Sequence, residues 1–232
     1  KSDTEITYMR RAGKVIEGVY ERVMKVAKPG MRKNDLVAEI MHAGAQGHQG
    51  HYGDYTSFVP LIGAGDEAAA CHMTWNDQKL NNNEGMFLEL AGAYARYHCP
   101  CSRTLFLGSP PQQYLDIEKV ISECIENAIS MFKPGNTCAE ISDNFTATLK
   151  KYGYEKNNRC GYPIGLSYPP DWGERTMSLR GTDQTILQEN MTFHFMPAIW
   201  FDDWGFEMTE SIRVGENGGE CLSKVPRQLL VK

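Results

Sequence analysis

Several things are missing from this 232-residue sequence, and each absence excludes something. No apolar run reaches the roughly 18–20 residues that crossing a bilayer requires. The opening KSDTEITYMRRAGK is polar, so no signal peptide is expected. Positive charge is not in excess: 24 Lys and Arg stand against 29 Asp and Glu, a net charge of −5. That sign disfavours non-specific binding to nucleic acid or to an anionic membrane. The seven cysteines are odd in number and follow no secreted-type framework, so reduced thiols in a cytoplasm are expected. Cys99 and Cys101 form C-x-C rather than C-x-x-C, poor support for a zinc or redox site.

What is present is an ordinary globular composition, 41% hydrophobic and 23% charged, enough for the core of one large domain. Ile6, Met9, Ala12, Val15, Ile16, Val19, Val23 and Val26 recur at helical spacing and predict a long helix over 4–28, stopped by Lys28-Pro29-Gly30. A second helix is predicted over 34–47, with Asn34 as N-cap. A Gly- and aromatic-rich stretch fills 50–66. Strands are predicted at 86–92 and 94–107, with a bulge or edge at Pro100. Helices over 111–132 and 138–152 come next, then a loop over 159–176. Strands near 191–199 and 205–214 and a short tail complete the chain.

One pattern recurs. KPGMRKNDL (28–36) and KPGNTCAEI (133–141) share Lys-Pro-Gly, four variable residues, an acid and an aliphatic residue. Each follows a long helix and precedes a shorter helix and then strands. The expected class is therefore α+β: two similar halves whose mostly antiparallel strands form one curved sheet covered by helices on its outer face. A site is expected at the join of the halves, on the open face.

This duplicated plan, the opening K-S-x-x-E-I-x-x-M-R-x-A, the string GYPIGLSYPPDWGE (161–174) and Arg103-Thr104 resemble the C-terminal domain of the pita-bread superfamily. Its members include methionine and Xaa-Pro aminopeptidases, prolidases, creatinase and ectoine hydrolase. The resemblance spans nearly the whole chain and implies one pita-bread domain over 1–232, preceded in a longer protein by an N-terminal domain. Two-domain relatives are commonly homodimers, so a homodimer is expected.

The superfamily's metallopeptidases hold two metal ions with Asp, Asp, His, Glu and Glu. The matching positions here are Glu89, Pro100, Tyr162, Met196, and Glu210 or its neighbour Thr209, with Glu210 favoured as the carboxylate reaching the cavity. Proline has no side-chain ligand, a thioether suits hard dications poorly, and neutral tyrosine is weak. No metal and no other cofactor are therefore expected. Other clusters that would bind metal are His48 with His51, or Asp202 with Asp203.

Creatinase and ectoine hydrolase resemble this chain in lacking metal ligands, and both break a C–N bond in a small nitrogenous solute. The implied activity is metal-independent hydrolysis of a small amidine or guanidino compound, with ectoine ring opening as the specific expectation. Carboxylates left without dications would make the cavity negative and suit a cationic substrate. Glu89 would either attack the amidine carbon or act electrostatically or as an acid or base. His72 ends GAGDEAAACH (63–72), a string similar to the one carrying the family's catalytic histidine, and would transfer a proton to the leaving nitrogen. Glu210 completes the expected catalytic set. Tyr162, Trp172, Glu174, His194 and Arg103 are the expected substrate-binding residues; Asp171 and the other tryptophans, Trp75, Trp200 and Trp204, are further lining candidates. Arg103 would alternatively pair with a carboxylate near its strand. A metal-dependent Xaa-Pro peptidase and a non-catalytic binding module on the same fold are the competing readings.

Overall fold

A computed structural model describes all 232 residues. Helix α1 (Asp3–Val26) opens on a capping box in which Ser2 and Glu5 satisfy each other's backbone amides. Its apolar stripe packs with α2 (Lys33–Gln46) on strands β1 (Leu61–Ala64), β2 (Glu84–Tyr94) and β3 (Tyr97–Leu107), forming one core cluster. The second half repeats this plan. Helices α3 (Gln112–Ile129) and α4 (Cys138–Lys151) cover β4 (Gly161–Pro163), β5 (Thr192–Phe195), β6 (Ala198–Trp200), β7 (Gly205–Glu207), β8 (Glu210–Gly215) and β9 (Gly218–Cys221), around a second core cluster.

The Lys-Pro-Gly repeat is structural. Gly30 and Gly135 both take positive φ, 84° and 96°, the conformation glycine adopts at least cost. Gly30 N–H donates to Leu80 O, as Gly135 N–H does to Leu187 O. Lys33 N–H donates to Gln78 O, as Cys138 N–H does to Thr185 O. These paired contacts tie each helix junction to the strand region of its own half. They also move the start of α2. Arg32, not Asn34, is its N-cap, because loop carbonyls of Gln78 and Asn76 accept from the Lys33 and Asn34 amides.

Strand pairing is antiparallel except at one place, the short tail strand β10 (Leu230–Val231), which lies parallel to β3. The ladders divide into sheets β1-β2-β3-β10 and β4-β5-β8-β9, with β6-β7 as a two-stranded ribbon. No bulge occurs at Pro100; the β2–β3 ladder is continuous, with Ala91 opposite Pro100. Proline sits there on the edge facing the other half, where its carbonyl accepts from Ser211 Oγ at 2.6 Å.

The halves meet between β3 and the β7–β8 segment. Thr209 N–H donates to Ser102 O, and the hydroxyls of Thr104, Thr209 and Ser211 bond backbone groups opposite them. The strands expected at 191–199 and 205–214 each break here, at Met196-Pro197 and Met208-Thr209, with Met208 N–H donating to Pro197 O. The break lets the chain pass from the second sheet to the β6–β7 ribbon beside the first.

Candidate active site

A cavity of about 490 Å³ opens at this join, within the size range of small-molecule sites, roughly 300–1,000 Å³. The first half contributes Phe58, Leu61, Cys71, His72 and Glu89. The second contributes Lys156, Arg159, Tyr162, Asp171, Trp172, Arg175, Met196, Trp200 and Glu207.

Glu89 reaches the cavity because strand side chains alternate. Leu88 and Leu90 enter the first core, so the residue between them faces the other way. Glu207 arrives from β7 on the opposite wall. Both carboxylates are about 4% exposed, and Glu207 Oε2 is buried with no hydrogen-bond partner. Burial, and then the neighbouring Glu207 charge, push the Glu89 carboxyl well above the ordinary range, against the pull of Lys156. Burial likewise raises Glu207 to about 7, with the Lys156 ammonium opposing. Lys156 is lowered by its own desolvation, and Glu207 opposes that. Its Nζ donates to Met196 O at 2.9 Å and lies 4.9 Å from the Trp200 ring centroid.

Behind Glu89 runs a hydrogen-bonded chain. Trp172 Nε1–H donates to Tyr162 Oη at 2.7 Å. His194 Nδ1 lies 3.0 Å from the same Oη, and its Nε2 lies 2.7 Å from Thr209 Oγ1. Ser102 N–H donates to Thr209 Oγ1 at 2.8 Å. Tyr162 and His194 are cross-strand partners on β4 and β5, which puts both side chains on one face. Burial, then the nearby Arg159 charge, pull His194 down to about 3, so it is neutral.

The expected site residues separate into two groups. Glu89, His72, Tyr162 and Trp172 line the cavity, and His194 sits one hydrogen bond behind Tyr162. His72 holds a left-handed backbone, φ 60°, with its ring 5.8 Å from that of Phe58. Glu210, Arg103 and Glu174 lie elsewhere. Glu210 Oε1 is 2.7 Å from Arg103 Nη2 and 3.3 Å from Arg227 Nε, on the face of β8 opposite the cavity. Adjacent strand residues point to opposite sides, so Thr209 faces the His194 chain and Glu210 cannot. Arg103 is fully buried and also donates to Thr209 O, Val225 O and Pro226 O, holding the C-terminal segment to the join. Glu174 pairs with Lys1 at 3.0 Å. Among the tryptophans Trp172 and Trp200 line the cavity, while Trp204 stacks on Phe201 and Trp75 packs on the first core.

Glu207 and Lys156 were not anticipated. Strand parity with Thr209 was a usable signal for Glu207. Lys156 lies between α4 and β4 with no motif around it. Nor is the cavity simply negative: Glu89, Asp171 and Glu207 face Lys156, Arg159 and Arg175. The acids Glu89 and Glu207 are deep, whereas Arg159 and Arg175 are exposed at the rim, Arg175 paired with Asp171 at 2.9 Å.

This donor set does not fit paired dications. Nowhere in the chain do three His, Cys, Asp or Glu side chains converge as metal ligands, at His48/His51 and Asp202/Asp203 included. At the cavity a thioether, Met196, and a phenol, Tyr162, accompany the two carboxylates, and the Lys156 ammonium shares their space. All seven cysteines are free, and no helix is long and apolar enough to cross a membrane.

Comparison with known proteins agrees with this architecture. The model of metallopeptidase family M24 matches residues 7–217. The chain is 50% identical over 238 residues to an ectoine hydrolase of Halomonas elongata, covering 100% of this chain and 60% of that protein. It is 39% identical over 232 residues to an uncharacterized hydrolase/peptidase of Sinorhizobium fredii, again covering 100% of this chain and 59% of the relative. The chain thus spans about 60% of the length of the curated relatives it matches. Among solved structures, a prolidase from Thermococcus sibiricus superposes with TM-score 0.89 at 19% identity, covering 100% of this chain and 62% of that one. An X-Pro aminopeptidase from Thermotoga maritima gives 0.87 at 20% identity, covering 100% and 64%. With a duplicated α+β fold, a cavity at its join and a family match over most of its length, this chain belongs to metallopeptidase family M24 and has the pita-bread fold.

Proposed function

We propose that the cavity opens a small cyclic amidinium carboxylate, ectoine in particular, by adding water to the ring carbon and breaking one C–N bond without a metal ion. The observation that carries this reading is the buried Glu89–Glu207 carboxylate pair in a cavity whose donors do not suit two dications. The identity to a protein named ectoine hydrolase supports the choice of substrate.

A protonated amidine is a flat, delocalised cation. Deep carboxylates and the faces of Trp172 and Trp200 favour it, and the exposed rim arginine Arg159 suits the substrate's own carboxylate. Glu89 in its ionised form, made a stronger base by burial, takes a proton from the attacking water. The water oxygen bonds the ring carbon, the C–N bond breaks, and His72 delivers a proton to the departing nitrogen. One water is consumed, and the product is a linear N-acetylated diamino acid rather than ammonia. The chain is read as the C-terminal catalytic domain of a longer cytoplasmic protein that works as a homodimer.

The test is turnover of ectoine by the full-length protein in the presence of chelator, with the product identified by NMR and metal content measured. Stoichiometric manganese, cobalt or zinc together with Xaa-Pro dipeptide cleavage would replace this reading with a metallopeptidase. Binding of amidines and guanidino compounds without turnover would replace it with a binding module. Acid quenching during turnover should leave an unmodified intact mass; substrate mass added at Glu89 would show direct carboxylate attack instead.

A further inference from the structure

We infer that the Ser102–Thr209–His194–Tyr162–Trp172 chain has one fixed direction, which makes the Tyr162 hydroxyl an obligatory donor into the cavity, aimed at the oxygen that hydrolysis adds to the substrate. The inference deepens the proposed function and rests on it only for the identity of that oxygen.

The direction follows from donors that cannot reverse. A backbone N–H and an indole N–H can only donate. Ser102 N–H fills one acceptor position of Thr209 Oγ1, and Trp172 Nε1–H fills one of Tyr162 Oη. Thr209 is fully buried, and the one acceptor within reach of its hydroxyl proton is His194 Nε2 at 2.7 Å. If Thr209 donates there, a neutral His194 carries its proton on Nδ1 and donates to Tyr162 Oη at 3.0 Å. Tyr162 Oη then accepts two hydrogen bonds, and its own proton must leave in the remaining direction, toward the cavity that Tyr162 and Glu89 line. The opposite polarity would leave the Thr209 hydroxyl proton buried and unpaired, which is costly. It would also turn the Tyr162 proton back onto His194.

The chemistry gives this direction a purpose. A protonated amidine presents only N–H donors around its carbon, so a donating hydroxyl aimed at that carbon gains nothing from the amidinium of the bound substrate. Once water has added, the carbon carries an oxygen that gathers negative charge before the C–N bond breaks. A donor set in place in advance stabilises that state and not the ground state. Tyr162 is thus a catalytic residue, while His194, Thr209 and Trp172 are positioning residues.

Two measurements on the full-length protein decide the matter. The first needs no substrate: long-range proton–nitrogen NMR of histidine-labelled protein, with His194 assigned by its loss in His194→Gln. A proton on Nδ1 is expected; a proton on Nε2 overturns the inference whatever the enzyme does. The second reads kinetics on ectoine. Tyr162→Phe should lower kcat by about 10²–10³-fold with little change in KM. Thr209→Val should lower kcat about tenfold at unchanged KM, and Thr209→Ser, which restores the hydroxyl, should recover it. Undiminished kcat in Thr209→Val, or failure of Thr209→Ser to recover it, overturns the positioning role. An Nδ1 proton in a protein that turns over no amidine would sink the proposed function and leave the wiring intact.

Discussion

Glu207 and Thr104 exchange two hydrogen bonds across the join of the halves: Glu207 N–H donates to Thr104 Oγ1 at 2.8 Å, and that hydroxyl donates to Glu207 O at 3.0 Å. A single buried hydroxyl therefore fixes the backbone from which a cavity carboxylate projects. It does so from the strand of the other half. The site and the seam are held by the same residues.

Removing that hydroxyl should affect stability and activity together. Thr104→Val leaves the Glu207 amide and carbonyl buried and unpaired, at a cost of about 1–3 kcal/mol. Urea denaturation of the variant should show that loss, and Thr104→Ser should restore most of it. An unchanged midpoint for Thr104→Val would mean that the seam relaxes without this contact.

Glu210 should behave as a structural residue. Its carboxylate is the partner of Arg103, whose side chain is fully buried. Glu210→Ala strands that guanidinium, and buried pairs broken in this way lose about 3–5 kcal/mol. Chemical denaturation should report a loss of that size. Near-native stability with abolished turnover would instead give Glu210 a role in the chemistry.

Lys156 should set the pH range in which Glu207 is ionised. Its ammonium holds the Glu207 carboxyl down to about 7 against burial. Lys156→Met removes that attraction, so Glu207 should stay protonated to higher pH. Carbon-13 NMR of the Glu207 carboxyl across a pH series reads this directly. A titration unmoved, or moved to lower pH, would show that the ammonium does not govern this carboxylate.

His98 should make the fold sensitive to acid. Burial, then the Arg96 charge, lower it to about 4 from its ordinary 6.5, while Nε2 accepts from the Ser57 amide at 2.9 Å. Between those values the unfolded chain binds the proton and the folded chain does not, so stability falls as pH drops through 6.5 toward 4. The full shift corresponds to about 3 kcal/mol. His194 acts in the same direction; Glu207, raised rather than lowered, acts against it between its unfolded value and about 7. Urea titrations at pH 7 and pH 4.5 should therefore differ less for His98→Gln than for the wild type. Equal differences would place the acid sensitivity elsewhere.

The long helices were legible because α1 and α3 each bury one stripe at helical spacing, a signal local to the segment. Glu89 was legible because the resemblance matches it to the superfamily's first Asp position, and the duplicated halves because Lys-Pro-Gly recurs where the backbone must turn at positive φ. The β2–β3 hairpin was only half legible. Ala95 and Arg96 both adopt positive φ, 48° and 67°. Neither is a usual residue there; distant groups hold the turn, since Arg96 donates to Tyr55 O, Ser57 Oγ and Ser167 O.

Sequence alone determined the helices and the repeat, because those depend on spacing along the chain, and the resemblance brought Glu89, His72, Tyr162 and Trp172 to one site. Tertiary structure decided that Glu207 rather than Glu210 faces Glu89, that Lys156 joins them, and that Thr209 reaches His194. The physical reason is the break at Met208-Thr209. Which side chain enters a cavity shared by two sheets depends on where each strand ends and how the sheets meet, and those are set by long-range hydrogen bonds across the join.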